Sequence, residues 1–125
     1  MAIQKIHESL LYARNAGADL SGKLHYFGKV DTDGDIILTA ARTDAALGVI
    51  VEAAAENSPV TIQFGGISKV TAGEAIVAGE MICPGTDGRA LDADTANDFV
   101  VGVALTSADA DDLFSFAFIP GRVHS

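Results

Sequence analysis

The sequence has few of the residues that a covalently cross-linked protein needs. It contains a single cysteine, Cys83, and no tryptophan, and aromatic residues make up only 6% of its 125 residues. A lone cysteine cannot form a disulfide within the chain, so the fold must be held by packing and hydrogen bonds. We therefore expect a protein that is made and folded in a reducing cytoplasm.

Positive charge is scarce as well. Lys and Arg number 8 against 17 Asp and Glu, which gives a formal net charge of −9 at pH 7. A surface of this sign repels the phosphates of nucleic acids and the head groups of anionic membranes. The composition therefore predicts a protein that binds neither nucleic acid nor membrane.

Long apolar runs are also missing. No stretch approaches the roughly 18–20 apolar residues that a transmembrane helix needs, and residues 1–19 are too polar to hold the apolar segment of a signal peptide. Hydrophobic residues nevertheless make up 49% of the chain, which is enough to build a core. We expect one compact, soluble domain or two small halves that share a core.

The sequence does contain an internal repeat. Residues 44–51 and 98–105 share one pattern, in which an Asp is followed by a short apolar run, Gly-Val and further apolar residues. The two segments lie 54 residues apart, and the same offset aligns the Thr-Asp-Gly of residues 32–34 with that of residues 86–88. Self-similarity at a period near 50 residues indicates one supersecondary unit used twice.

Alternation and turn residues predict short strands in both copies. The apolar-polar alternation of residues 60–64 is typical of a half-buried strand, and Phe114, Phe116 and Phe118 fall on one face of the strand at residues 113–119. Residues 24–30 read as a further strand, and Pro120-Gly121 should end the last one.

Two matched features predict how the strands connect. The Asp-Gly at residues 33–34 favours a tight hairpin turn. Gly48, inside a buried strand, predicts a bulge or a close backbone contact. Short strands at about ten-residue spacing, without helical periodicity, favour a mainly β fold. We predict a small barrel or sandwich of two tandem duplicated β-units with an N-terminal arm.

The predicted domain organisation follows from the repeat. Residues 1–21 form the arm, residues 22–66 the first β-repeat and residues 67–125 the second, and the repeats share one compact domain. The apolar residues of the arm have no evident place in the duplicated core. Either they pack on a partner, or they cover the edge of their own domain.

Motifs that carry chemistry are incomplete. Residues 17–23 fit the Gly-x-x-x-x-Gly-Lys of a phosphate-binding loop, but Leu24 stands where Ser or Thr would hold magnesium. Residues 31–35 lack the Gly and Glu positions of a calcium loop and predict a plain turn. Cys83 reads as a small buried hydrophobe.

The titratable residues give no support for a reactive centre either. The three histidines are too widely spaced to suggest a metal site, and the acidic clusters that include Asp92, Asp94 and Asp98 read as solvated loops. We therefore predict no catalytic, cofactor-binding or metal residue, no cofactor and no enzyme activity.

The second repeat resembles a known family. Its features, in order, are a Gly-bounded apolar turn at residues 70–80, an Asp-Gly hairpin at residues 86–90, a Gly-Val-Ala-Leu strand at residues 101–105, and a final alternating strand that ends in Gly at residue 121. This order is similar to that of small capsid decoration, or cement, proteins of tailed bacteriophages. The resemblance covers residues 70–121 and, more loosely, residues 22–66.

The resemblance implies a structural virion protein on the outer surface of the phage head. Such a protein binds the major capsid protein, cements neighbouring subunits and stabilises the expanded shell. It also implies a homo-oligomer, with a trimer favoured and a dimer possible. The contact residues expected for the capsid or partner are those of the arm: Ile3, Lys5, Ile6, Leu10, Leu11, Tyr12 and Arg14.

Two other functions stay open. One is another virion structural component, either a head fibre or a tail protein, built on the same duplicated β-unit. The other is a carbohydrate-binding β-module, which the lack of tryptophan disfavours because sugars stack on exposed aromatic rings. Tyr12 and Tyr26 are the only tyrosines.

Overall fold

The computed structural model describes residues 10–123, with side chains up to residue 119. Within that range the protein is all-β and contains ten strands and no helix. The strands are β1 (Leu11–Asn15), β2 (Phe27–Val30), β3 (Ile36–Leu38), β4 (Gly48–Glu52), β5 (Pro59–Gln63), β6 (Ile67–Thr71), β7 (Met81–Pro84), β8 (Ala90–Asp92), β9 (Phe99–Ala104) and β10 (Leu113–Val123).

The strands form two antiparallel sheets with the same topology. The first has the order β1-β5-β4-β2-β3, and the second has the order β6-β10-β9-β7-β8. Each strand of the first sheet corresponds to the strand five places later in the chain, which has the same position in the second sheet. Each repeat therefore builds one sheet. The predicted mainly β fold of two tandem units is confirmed. The arrangement is sandwich-like, since neither sheet closes into a barrel.

The structural repeat includes the described end of the predicted arm. Strand β1 pairs with β5 just as β6 pairs with β10. Ala16 bridges Ile36 in the same parallel fashion as Ala72 bridges Ala90. Ala16 and Ala72 are 56 residues apart, because the connection before β2 is two residues longer than the one before β7. An ungapped offset of 54 misses this match. Residues 11–15 thus cover the edge of their own sheet.

Two strand boundaries differ from the sequence prediction. Residues 24–26 form a turn instead of the start of β2, and His25 has a positive φ of 67°. The prediction that Pro120-Gly121 ends the last strand is also wrong, because β10 continues to Val123. The register of β10 against β9 shifts between Phe118 and Arg122. Such an irregularity accommodates a proline, which has no N–H to donate to a ladder.

The two repeats share one core. The predicted aromatic face is confirmed: Phe114 and Phe116 are buried, and the rings of Phe116 and Phe118 lie 4.7 Å apart. Phe27 and Val49 of the first sheet belong to the same buried cluster. The Phe27 ring meets that of Phe116 edge-on at 5.7 Å. A second cluster fills the first repeat by itself.

The matched glycines allow close backbone contacts, as predicted for Gly48. A Cβ atom at Gly48 would lie 2.1 Å from the carbonyl oxygen of Gln63, and one at Gly102 would lie 2.2 Å from that of Ala117. Gln63 and Ala117 are themselves equivalent in the two repeats. In both sheets a side chain at this position would therefore push neighbouring strands apart.

We expect Gly48→Ala and Gly102→Ala each to lower the free energy of unfolding by about 2–3 kcal/mol, since the clash is with backbone rather than with a movable side chain. Urea denaturation of both variants measures the effect. Gly22→Asn is the control, because Gly22 has a positive φ that Asn tolerates and no atom lies within 4 Å of its Cβ position. Equal losses in all three variants would contradict the proposed contact.

Candidate functional site

The described residues contain no evident reactive centre. No three His, Cys, Asp or Glu side chains between residues 10 and 123 are grouped to hold a metal ion. Cys83 is completely buried, and burial raises the pKa of its thiol to about 12. A thiol in this environment stays protonated at neutral pH, which agrees with its interpretation as a small buried hydrophobe. No helix within the described range is able to span a membrane.

The acidic turn at residues 31–35 is stabilised by hydrogen bonds to the carboxylate of its first residue, Asp31. The Asp31 Oδ1 atom accepts hydrogen bonds of 2.9 Å from the amides of Asp33 and Asp35. Gly34 has a φ of 84°, in the left-handed region that favours glycine. The predicted hairpin turn is confirmed, and it joins β2 to β3.

The residues predicted to contact a partner are spread over two faces of an edge strand. Leu11 and Tyr12 lie on β1 and are 38% and 43% exposed. Successive side chains of a strand point to opposite faces, so these two do not form one patch. Leu10 packs against Gly65. Ile3, Lys5 and Ile6 lie outside the described residues.

Arg14 is held by its own repeat. Its Nε atom donates a 2.9 Å hydrogen bond to the carbonyl oxygen of Gly34, and its Nη2 atom lies 3.7 Å from the Asp35 carboxylate. The guanidinium thus rests on the hairpin between β2 and β3, although its side chain remains 44% exposed.

One predicted residue, Tyr12, lines an apolar groove on the first repeat. Val30, Leu47 and Phe64 form the rest of the lining, and the groove has a volume of about 320 Å³. Val30 and Phe64 are 46% and 39% exposed. The sequence prediction did not include these three residues. The sequence placed all three in predicted strands or in the repeated segment, which indicates apolar positions but not whether they are covered.

The junction between the repeats contains a buried ion pair. The Asp98 side chain is 1% exposed and accepts hydrogen bonds of 3.0 Å from Arg42 Nε and 2.7 Å from Arg42 Nη2. Arg42 comes from the first repeat, and its Nη2 atom also donates to the carbonyl oxygen of Asp92. The interpretation of Asp98 as part of a solvated loop is therefore wrong. These hydrogen bonds hold the pKa of Asp98 below its usual value even though burial acts to raise it.

The equivalent residue of the first repeat, Asp44, has the same local role with a different cation. Its Oδ2 atom accepts from the amides of Ala40 and Ala41 and from Lys29 Nζ at 2.8 Å. Each Asp thus organises the loop that precedes it. Only Asp98 joins the two repeats, because its cation comes from the other one.

Backbone hydrogen bonds complete the junction. The Phe27 amide donates to the Gly88 carbonyl oxygen at 2.7 Å, and the Thr71 amide donates to that of His25 at 2.9 Å. The Thr39 hydroxyl donates to the carbonyl oxygen of Gly85. Turns of the first repeat are therefore bound to strand ends and to the hairpin of the second.

Comparison with known proteins identifies the class. The family model for phage cement proteins matches residues 13–118. The chain therefore belongs to the phage cement protein family. Proteins of this family are structural components of the phage virion that associate with the capsid and are not typically enzymes. The resemblance that the sequence indicated is thus confirmed.

A solved structure shares the fold. The N base of the head fiber gp8.5 of bacteriophage phi29 superposes with a TM-score of 0.70, covering 92% of this chain and 98% of that one at 18% sequence identity. At this identity the likeness concerns the fold. A comparison with curated protein sequences finds no match.

We expect Arg42→Ala to lower the free energy of unfolding by roughly 3 kcal/mol, because it leaves a buried carboxylate without its partner. Arg89→Ala is the matched control. Its partners Asp87 and Asp111 are 51% and 74% exposed, so the loss should stay below about 1 kcal/mol. Denaturation of both variants at pH 7 measures the difference, and equal losses would contradict a special role for the junction pair.

The stability difference between the wild type and Arg42→Ala should depend on pH, because Arg42 binds the titratable side chain of Asp98. The pKa of Asp98 is lowered in the folded protein, so its contribution to stability is present above the unfolded value of about 3.9 and is lost as pH falls through the folded value. Arg42→Ala removes the largest cause of this lowering of the Asp98 pKa. The stability gap between the wild type and Arg42→Ala should therefore shrink below about pH 4 in denaturation curves recorded across this range. A gap that stays constant down to pH 2 would exclude this electrostatic origin.

Proposed function

We propose that the protein binds the outer surface of the expanded phage head and cements neighbouring major capsid subunits. The observation that carries this proposal is the match to the phage cement protein family over residues 13–118. The task requires a rigid fold and a contact surface rather than a reactive group, which agrees with the buried Cys83. Many modest contacts on one shell act together through avidity. A protein that binds only the expanded shell, and not the unexpanded one, stabilises the expanded shell by mass action.

The arm supplies the capsid or partner contact in this proposal. Residues Ile3, Lys5 and Ile6 reach the shell, together with Leu10, Leu11, Tyr12 and Arg14 where the arm joins the sheet. Strand β1 supports this role because it is an edge strand, bonded only to β5 within the described range. A free edge offers backbone groups to an added strand of a partner. Arg14 contributes less, since it already binds the Gly34 carbonyl oxygen.

The proposal includes self-association and a place in infection. The protein is made in the host cytoplasm and docks on the head as a homo-oligomer, with a trimer favoured over a dimer. The formal charge of −9 keeps free copies soluble before docking.

The direct test is co-sedimentation of the purified protein with expanded heads that lack it. We expect saturable binding, with a copy number that matches a regular set of sites on the shell, and a higher melting temperature of the heads. Unexpanded heads serve as the control. Saturation without any gain in head stability would support attachment but contradict cementing.

Deletion of residues 1–9 should weaken binding to heads at least about 10-fold, because it removes the apolar and positive side chains of Ile3, Lys5 and Ile6 from the proposed contact. The deletion spares β1, so the thermal melting of the protein itself should not change. Leu11→Glu should also weaken binding, while Leu113→Glu, on a comparably exposed apolar residue outside the arm, should not. Wild-type affinity of the deletion variant would exclude residues 1–9 as a capsid contact, and wild-type affinity of Leu11→Glu as well would exclude the arm.

A second candidate function is the base of a head-bound fibre. It is favoured by the shared fold with the N base of the phi29 head fiber. The co-sedimentation experiment distinguishes the two functions, because a fibre base attaches without raising the melting temperature of the shell.

A further inference from the structure

The two repeats contact each other through two different surfaces, one on each repeat. The counterpart of each surface on the other repeat is exposed. In the first repeat, Phe27 of β2 and Val49 of β4 are paired across strands and are 0% exposed. Both belong to the core cluster of the second repeat. We call this pair the plug of the first repeat. It packs into the second repeat, so the two surfaces in contact are not equivalent.

The surface that receives the plug has an exposed counterpart. The groove of the first repeat is lined by Tyr12, Val30, Leu47 and Phe64. Strand pairing makes Ser68, Pro84, Val101 and Phe118 the equivalent residues of the second repeat. There Ser68 is 8% and Val101 3% exposed, and Val101 and Phe118 belong with Phe27 and Val49 in one cluster. The same face is therefore covered in the second repeat and uncovered in the first.

The plug also has an exposed counterpart. Met81 of β7 and Val103 of β9 are paired across strands in the second repeat as Phe27 and Val49 are in the first. Met81 is 36% exposed and Val103 is half-buried, whereas their equivalents are fully buried. Each chain thus presents one empty groove at one end and one uncovered apolar pair at the other.

We propose that the Met81–Val103 pair of one copy packs into the groove of Tyr12, Val30, Leu47 and Phe64 on a second copy. The contact between copies then repeats the contact between the halves of one chain. Because its two surfaces differ, it is heterologous and generates a ring when the rotation closes. This inference names the interface of the homo-oligomer and rests on that part of the proposed function.

The contact between copies lacks the polar partners of the internal junction. Ala96, which has no charge to offer, stands at the position equivalent to Arg42, and Asp44 is already bound to Lys29 of its own repeat. In the internal junction, the Gly88 carbonyl oxygen accepts a hydrogen bond from the Phe27 amide. The equivalent carbonyl oxygen of the first repeat, that of Gly34, already accepts one from Arg14. Association between copies therefore relies on apolar burial, and we expect it to be weaker than the internal junction and dependent on concentration.

Two single variants test the two surfaces separately. Val30→Glu places a charge in the groove, and Met81→Glu places one on the exposed pair. Sedimentation velocity should show an oligomer for the wild type and at least a roughly 10-fold weaker association for each variant. Leu24→Glu is the control, because Leu24 is 44% exposed and lies in the turn before β2, outside both the groove lining and the Met81–Val103 pair. Tyr12→Glu replaces Val30→Glu if the latter melts at a lower temperature than the wild type.

Mixing the two variants tests the head-to-tail geometry. Val30→Glu retains an intact Met81–Val103 pair, and Met81→Glu retains an intact groove, so a mixture should form a 1:1 heterodimer that grows no further. Native mass spectrometry resolves the two masses. If Met81→Glu assembles by itself, or if the wild type is monomeric at its highest soluble concentration, the proposal is overturned. The experiment contains no phage heads, so its failure leaves head binding to be judged by co-sedimentation.

Discussion

The structure depends on the burial of one apolar cross-strand pair. The side chains of Phe27 and Val49 project from the first sheet and pack into the core of the second repeat, where the Phe27 ring contacts that of Phe116 edge-on. The second repeat covers these two side chains, whereas the other face of the first sheet is filled by a cluster of its own. The two repeats are therefore joined by a shared apolar cluster.

The ion pair between Arg42 and Asp98 gives this contact its direction. Two nearly equivalent repeats could pack against each other within one chain or between two chains. Apolar contacts alone distinguish poorly between these two arrangements. The charged hydrogen bonds form where Arg42 of the first repeat meets Asp98 of the second. A buried ion pair adds little net stability compared with apolar packing, but it makes the wrong pairing costly. The matched Asp44 instead binds Lys29 of its own repeat.

The exposed groove and the exposed Met81–Val103 pair lie where the repetition stops. A strictly periodic chain would expose the same groove and the same apolar pair at its ends, whatever its length. This chain has two units, so one groove and one apolar pair are left over, and an edge strand lies beside the groove. The proposed contact between copies uses these two ends.

Much of the fold was predictable from the sequence because it depends on local patterns. Alternation placed Phe114, Phe116 and Phe118 on one face, Asp-Gly marked the hairpin, and Gly48 marked the close contact with the next strand. The position of β1 was not predictable in the same way. Its match to β6 is hidden by two extra residues in a loop, and only hydrogen bonding with β5 reveals it.

The candidate site was less predictable than the fold. Sequence patterns identified the family and proposed Leu11 and Tyr12 as contacts of an arm, but they did not find the groove or the burial of Asp98. Alternation tells which side chains share a face, since that is a property of the strand itself. Which face is covered depends on how the two sheets pack, and this was decided by the tertiary structure alone.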